Sequence, residues 1–307
     1  MRRFLLHRVL LLLPTLFGAV TLVFILIHVV PGDPVEAMLG ETASSADKAA
    51  LARELGLDQP LLTQYVQFLA GMAKGDLGRS LYNQGSVSGL IAARIPATLE
   101  LTLAAMAVAL LIAFPLGVLA ATQRGAAADR FALVFSLFGL AIPNFWLGPL
   151  LMIVFSIQLG WLPVSGRGGA AHLLLPALTL GTAMAAILTR MIRSGLIETI
   201  HEDYIRTARA KGLDERRVWL KHALRNSLIS VVTIVGLQFG ALLAGSIVTE
   251  SIFSWPGLGR LTLQAIQTRD YPLVQGCVLA IAFSYLAVNL ATDIVYRLID
   301  PRISYED

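Results

Sequence analysis

The stretch LTLAAMAVALLIAFPLGVLAATQ, Leu101 to Gln123, decides the fold: 23 residues run between Glu100 and Arg124 without one charged side chain. A helix rising 1.5 Å per residue covers roughly 34 Å over that length, enough to cross a hydrocarbon core about 30 Å thick. Five more runs lack Asp, Glu, Lys and Arg: 9–32, 131–166, 168–189, 226–249 and 271–292, each at least 22 residues long. The expected fold class is an all-α membrane protein with six transmembrane helices. The run 131–166 has 36 residues, about 54 Å as a straight helix, so it must bend or end early, with Pro143, Gly160 and Pro163 as the breakpoints. Arg2, Arg3 and Arg8 before the first run imitate a secretory signal. Val9 to Val30 is longer than a signal core and ends in Pro31-Gly32-Asp33-Pro34 with no small-x-small cleavage site, so it reads as a retained span.

Composition agrees. Of 307 residues 56% are hydrophobic and 14% charged, against about 25% charged in an ordinary soluble domain. A chain this apolar is neither a disordered tract nor a collagen-like repeat, and its single Cys277 closes no internal disulfide. The net charge of +4 is explained by topology and not by nucleic acid, because the basic residues are divided among short loops. With the N-terminus inside, the segments 1–8, 124–130, 190–225 and 293–307 hold 16 of the 24 Lys and Arg residues, and the outer segments 33–100, 167 and 250–270 hold 8. The positive-inside rule selects this orientation. It divides the chain into an N-terminal span (1–32), an extracytoplasmic region with short helices (33–97), a five-span core (98–295) containing the cytoplasmic loop 190–227, and a cytoplasmic tail (296–307).

Two segments outside the spans have structure of their own. A helix is predicted from Asp47 to Leu55, capped by Ser44 or Ser45 and stopped by Gly56, then another from Pro60 to Lys74. Leu61, Leu62, Tyr65, Phe68, Leu69 and Met72 give the latter an apolar stripe that packs on the membrane or the spans, or meets an extracytoplasmic partner. Inside, Ile197, Ile200, Tyr204 and Ala208 form a narrow apolar stripe on a charged helix that Gly212 stops, and Asp214 caps a second helix carrying Val218, Trp219 and Leu220. This helix, turn and helix is either a solvated basic loop that holds the topology or a docking element for a cytoplasmic partner, because an apolar stripe needs a surface to bury it.

Here the sequence resembles a family. Tyr204-Ile-Arg-Thr-Ala-Arg-Ala-Lys-Gly212, followed by His222-Ala-Leu-Arg-Asn226, resembles the cytoplasmic loop motif of ABC-importer permeases of the dipeptide/oligopeptide type. Ala208 and Gly212 match the motif's second alanine and its glycine, and Leu224 its late leucine, whereas Arg206, His222 and Arg225 replace the general motif's Glu, Ile and Pro. In order along the chain, Val30-Pro-Gly-Asp-Pro34, Leu55-Gly-Leu-Asp-Gln-Pro60, Gly75-Asp-Leu-Gly78, Ile142-Pro-Asn-Phe-Trp146, Gly160-Trp-Leu-Pro163, Trp255-Pro-Gly-Leu-Gly-Arg260, Arg269-Asp-Tyr-Pro272 and Asp300-Pro-Arg-Ile303 are similar to the same branch.

The resemblance implies a type I importer permease fold in the bacterial cytoplasmic membrane. It implies one of two homologous six-span subunits, a heterodimer, flanking a translocation path. Two cytoplasmic ATPases drive it by alternating access, and an extracytoplasmic binding protein delivers cargo. Tyr204, Arg206, Ala208, Gly212 and Leu224 are the implied coupling residues. ATP and Mg belong to the partner ATPases: none of the four lysines, Lys48, Lys74, Lys211 and Lys221, follows a glycine, so the Gly-Lys pair of a P-loop is absent. The chain is a transport subunit without catalytic, cofactor or metal residues. Peptides are the expected cargo, with glutathione or nickel complexes as alternatives.

Two rival classes fit less well. An ion-coupled secondary transporter places ionisable groups within its spans, and Glu100, Glu250 and Asp293 only border the charge-free runs. A membrane metalloprotease fails because His201-Glu202 is followed by Ile205 where the zinc motif needs histidine. His28, Asn144 and Gln238 are polar residues within or beside spans; hydrogen bonds between helices and a place on the path are both open to them. Gly236-x-x-x-Gly240 permits close helix packing, and Cys277 reads as a small apolar residue.

Overall fold

The computed structural model describes residues 2–29, 34–40, 42–54 and 56–299. Residues 30–33 of the Val30 motif, Leu55, and the tail from Asp300 with its Asp300-Pro-Arg-Ile303 motif lie outside the described residues. Among the described residues the chain is helical apart from an isolated antiparallel bridge, Arg79 to Ser86. The order is α1 (Arg2–Val29), α2 (Pro34–Leu39), α3 (Ser45–Glu54), α4 (Leu61–Ala73), α5 (Val87–Thr122), α6 (Ala127–Ala141) and α7 (Asn144–Leu151), which a π-helical stretch, Met152–Gln158, continues. Then come α8 (Ala170–Thr199), α9 (Asp203–Ala210), α10 (Glu215–Arg217) with its own π-helical continuation, Val218–Ala223, α11 (Leu224–Gly245), α12 (Ile247–Ile252), α13 (Leu258–Gln267) and α14 (Tyr271–Ile299).

Among the described residues, three helices are long and apolar enough to cross a membrane: Val87–Thr122, Ala170–Thr199 and Tyr271–Val295. α1 carries a shorter apolar stretch, Leu13–Ile25, and Glu215–Ser227 with Val231–Leu243 forms a bent apolar pair. The long run 131–166 is broken as its length requires: Ala127–Ala141 and Asn144–Gln158 meet at 104°. The break falls at Ile142 and Pro143, both in extended conformation, because a residue before proline is pushed out of the α region and proline has no N–H to continue the ladder.

The described helices sort into two compact units, each discontinuous in sequence: residues 1–98 with 256–284, and 99–255 with 285–307. In the first, Ser44 Oγ accepts from the Asp47 N–H at 3.1 Å and starts α3, and Gly56 follows it at φ +68°. The expected helix from Pro60 is α4, whose Tyr65 and Phe68 rings lie 5.1 and 6.0 Å from Phe24 of α1. Thr21 and Tyr65 share a 2.6 Å hydrogen bond across the same contact. Tyr65 and Phe68 of the α4 stripe therefore pack on α1, while Leu61, Leu62 and Val66 remain exposed. A second cluster gathers Val87, Ile91, Leu258, Leu261, Ala265, Leu273 and Cys277, all buried. Asp270, fully buried, pins the loop after α4 to the start of α14: its carboxylate accepts from Ser80 Oγ (2.5 Å) and from the N–H groups of Leu81 (3.1 Å) and Leu273 (3.3 Å).

The second unit is organised on α8, against which α6, α7 and α11 pack. Its buried side chains include Ala105, Ala109, Ala113, Ala185 and Ala186, while Leu111, Phe131, Leu137 and Phe138 are exposed. Large side chains such as Leu175, Leu188 and Ile192 are buried as well; the small residues let helix backbones approach closely, and the exposed leucine and phenylalanine suit a lipid surround. At Gly181 a Cβ would sit 2.7 Å from the Ala105 carbonyl oxygen, so α8 and α5 touch there only through glycine. Gly236 and Gly240 likewise lie against Thr292 and Tyr285 of α14, which bears out the close packing expected of that pair.

Candidate functional site: the helical loop 190–227

The loop between Arg190 and Ser227 differs from the sequence expectation at its beginning. Instead of one helix running to Gly212, α8 ends at Thr199 and α9 starts at Asp203. Glu202, extended, occupies the position before α9, and Asp203 its first turn. Two adjacent carboxylates oppose the negative C-terminal end of α8 and suit the positive N-terminal end of a new helix. His201 covers the freed end by an Nδ1 bond to the Ile197 carbonyl at 2.7 Å.

The break re-aims the apolar stripe. Ile205 and Ala208 are buried in the cluster that also holds Leu188, Ile192, Leu196, Val218 and Ala223, while Tyr204 is 38% exposed. Tyr204 instead accepts a 2.9 Å hydrogen bond from Asn226 Nδ2. Burial holds the Tyr204 hydroxyl above the usual tyrosine range. Leu224 packs against the same cluster. The anchor of α9 is therefore this chain's own core, and its outward face presents Asp203, Arg206, Thr207 and Ala210, all exposed.

Gly212, at φ +76°, makes the turn, and a Cβ there would meet nothing within 4 Å. Its requirement is conformational alone, so Gly212→Val should cost about 1–2 kcal/mol of local stability. Tryptic cleavage at Lys211 in the assembled complex should accelerate accordingly, and unchanged cleavage would remove the turn's role. Across the turn Arg209 grips Glu215 through two bonds, 2.6 and 3.2 Å. That pair raises the Arg209 pKa and lowers that of Glu215. Asp214 caps α10 as expected, accepting from the Arg216 N–H at 3.2 Å.

Sequence reasoning missed one pair beneath this loop. Arg193 of α8 donates through Nε and Nη2 to Asp129 of α6 at 2.5 and 3.0 Å, and Gly125 N–H adds a third bond at 2.8 Å. The Arg193 bonds and the Gly125 amide hold the Asp129 carboxyl down at about 2. Its only signal was that both residues lie in segments assigned to the same side of the membrane. His28 makes bonds within and between helices: Nδ1 with Phe24 O (2.7 Å) and Nε2 with Gln64 of α4 (3.2 Å). Asn144 begins α7 and Gln238 lies on α11, both half-buried.

Residues 113–305 match the family described as binding-protein-dependent transport system inner membrane component, and residues 1–102 match the description for the N-terminal part of such membrane components. The chain belongs to this family. The permease is 44% identical over 306 residues to the glutathione transport system permease protein GsiC of Salmonella typhimurium strain LT2, covering 100% of both chains. It is 42% identical, with the same coverage, to that of Escherichia coli strain K12. Its fold is similar to a chain of the MetNI methionine ABC transporter in inward-facing form (TM-score 0.56, 20% identity, 69% of the permease and 96% of that chain). It is also similar to a chain of an amino acid ABC transporter crystallised with histidines (TM-score 0.53, 17% identity, 70% and 95%). The permease is thus a multi-pass inner-membrane transport component of an ABC importer, as its motifs imply.

Proposed function

We propose that the permease forms half of a translocation path for peptides, beside a homologous six-span partner, and that two cytoplasmic ATPases act on it through α9 and the turn at Gly212. The observation that carries this reading is the division of α9 into a buried anchor, Ile205 and Ala208, and an exposed polar face. A push on that face would reach α8 and α11 through the cluster in which Ile205 and Ala208 pack with Leu196 and Val231. ATP and Mg reside in the partner ATPases, an extracytoplasmic binding protein delivers the cargo, and both termini of this chain lie in the cytoplasm. Tyr204, Arg206 and Gly212 belong to the coupling element, with Ala208 and Leu224 as its attachment to the spans.

The second reading of the cargo is glutathione, favoured by the full-length relatives described as glutathione transport system permeases. Glutathione is itself a modified tripeptide, so both readings ask for a path that passes a short, polar, carboxylate-bearing molecule. Proteoliposomes holding the complete complex, with ATP enclosed, should accumulate a labelled dipeptide or glutathione only when binding protein and ATP are both supplied. Accumulation without ATP, driven by an ion gradient, would replace this reading by a secondary transporter.

A further inference from the structure

α4 (Leu61–Ala73) lies in a stretch, Gln59 to Ala73, without one Asp, Glu, Lys or Arg, bounded by Asp58 and Lys74. Its apolar residues divide between two faces. Tyr65, Phe68 and Met72 share one side, and the Tyr65 and Phe68 rings lie against Phe24 of α1, which is buried. Leu62, Val66, Leu69 and Ala73 recur at steps of 4, 3 and 4 and form a second ridge, about 100° further round the helix. On that ridge Leu62 and Val66 are 73% and 56% exposed. Thr63, Gln64 and Gln67 occupy the remaining side, and both glutamines turn their amides back onto the chain. Gln64 Nε2 donates to the carbonyls of Gln59 and Leu57 at 2.8 and 3.3 Å, and Gln67 Nε2 donates to Gln59 Oε1 at 3.0 Å.

The contacts with α1 set the level at which this helix lies. Read as a span, α1 enters the hydrocarbon near Val9, and a core about 30 Å thick takes about 20 residues, which puts the far edge near His28. His28 Nε2 bonds Gln64 Oε1 at 3.2 Å, and Thr21 shares a 2.6 Å hydrogen bond with Tyr65. At 1.5 Å per residue Thr21 lies about 10 Å inside that edge, so α4 meets α1 from the membrane edge inward. With α1 along one side, the other two faces of α4 point roughly opposite ways, one apolar and one polar, as in a helix lying in the interfacial plane.

We propose that α4 is seated in the outer leaflet of the bilayer, Leu62, Val66 and Leu69 entering the acyl chains of the phospholipid while Thr63 and Gln67 face water. The proposal rests on reading α1 as a span with its N-terminus in the cytoplasm, and its test keeps the seat and the side apart.

With Cys277 replaced by alanine, Leu62→Cys, Val66→Cys, Thr63→Cys and Gln67→Cys each carry a nitroxide in the complete complex, in phosphatidylcholine vesicles. Oxygen concentrates among acyl chains and a neutral nickel chelate stays in water, so power saturation reads which of them reaches the label. Oxygen should prevail at 62 and 66 and the chelate at 63 and 67. Ala73→Cys, an exposed position on the same ridge, replaces a ridge variant that fails to assemble. If the chelate prevails at 62 and 66, or all four labels give one ratio, the ridge does not lie in lipid and the proposal is overturned. If neither reagent reaches 62 and 66, protein covers the ridge and the proposal falls equally. The side is read separately, by labelling Gln67→Cys in intact spheroplasts with a membrane-impermeant maleimide. Labelling only after lysis would overturn the orientation, and with it the assignment to the outer leaflet, whatever the accessibility ratios.

Discussion

Ala208→Glu should uncouple the importer. Ala208 is 6% exposed and lies in one cluster with Ile205, Leu196 and Val218, so a glutamate there either buries an unpaired carboxylate or forces α9 off the spans. A buried charge without a partner costs several kcal/mol, more than one short helix can absorb. We expect the permease to insert, because the substitution lies outside the charge-free runs, but to lose most ATPase stimulation by loaded binding protein and most uptake. Arg206→Ala, on the exposed face, should leave thermal stability unchanged while lowering stimulation. If Ala208→Glu retains full stimulation and uptake, the attachment of α9 to the core has no part in coupling.

Arg193→Ala should destabilise the second unit by about 3 kcal/mol, since it strips the partner from an aspartate that is 4% exposed. The Asp129–Arg193 pair also predicts a pH dependence. The carboxyl's folded pKa, about 2, lies below its ordinary 3.8, so its stabilisation is complete above about pH 4 and is lost as the pH falls through 2. The melting temperature of the purified complex should drop across that window in the wild type and drop less in Asp129→Asn, which is already less stable at pH 7. Equal acid slopes for the two would show that the pair contributes nothing to folding.

What the sequence makes legible is what a bilayer and a helix terminus demand locally. A span must be free of charge over 22 residues or so, which is why the runs stand out along the chain by inspection, and proline must break the 36-residue run, which it does at Pro143. Ser44, Gly56, Asp214 and Gly212 signal their caps and turns because those backbone conformations favour their residue types. Tertiary choices left no local mark. The stripe Ile197, Ile200, Tyr204, Ala208 has good helical spacing, yet the chain breaks before Asp203 and buries Ile205 in place of Tyr204. Asp129 with Arg193, and Ser80 with Asp270, join residues 64 and 190 positions apart, and no periodicity carries such pairings. The π-helical stretches at Met152 and Val218 likewise have no signal in the local sequence pattern.

If the exposed face of α9 meets the ATPase, a cross-link placed there must capture it. With Cys277, the sole cysteine, replaced by alanine, single cysteines at Ala210 on α9 and Ala49 on α3, both exposed positions, are treated with a short bifunctional cross-linker in the assembled complex. Ala210→Cys should yield an adduct of the permease with the ATPase subunit, and Ala49→Cys should yield none. An adduct with the ATPase from Ala49→Cys, or none from Ala210→Cys in a complex that still transports, would contradict the docking of α9.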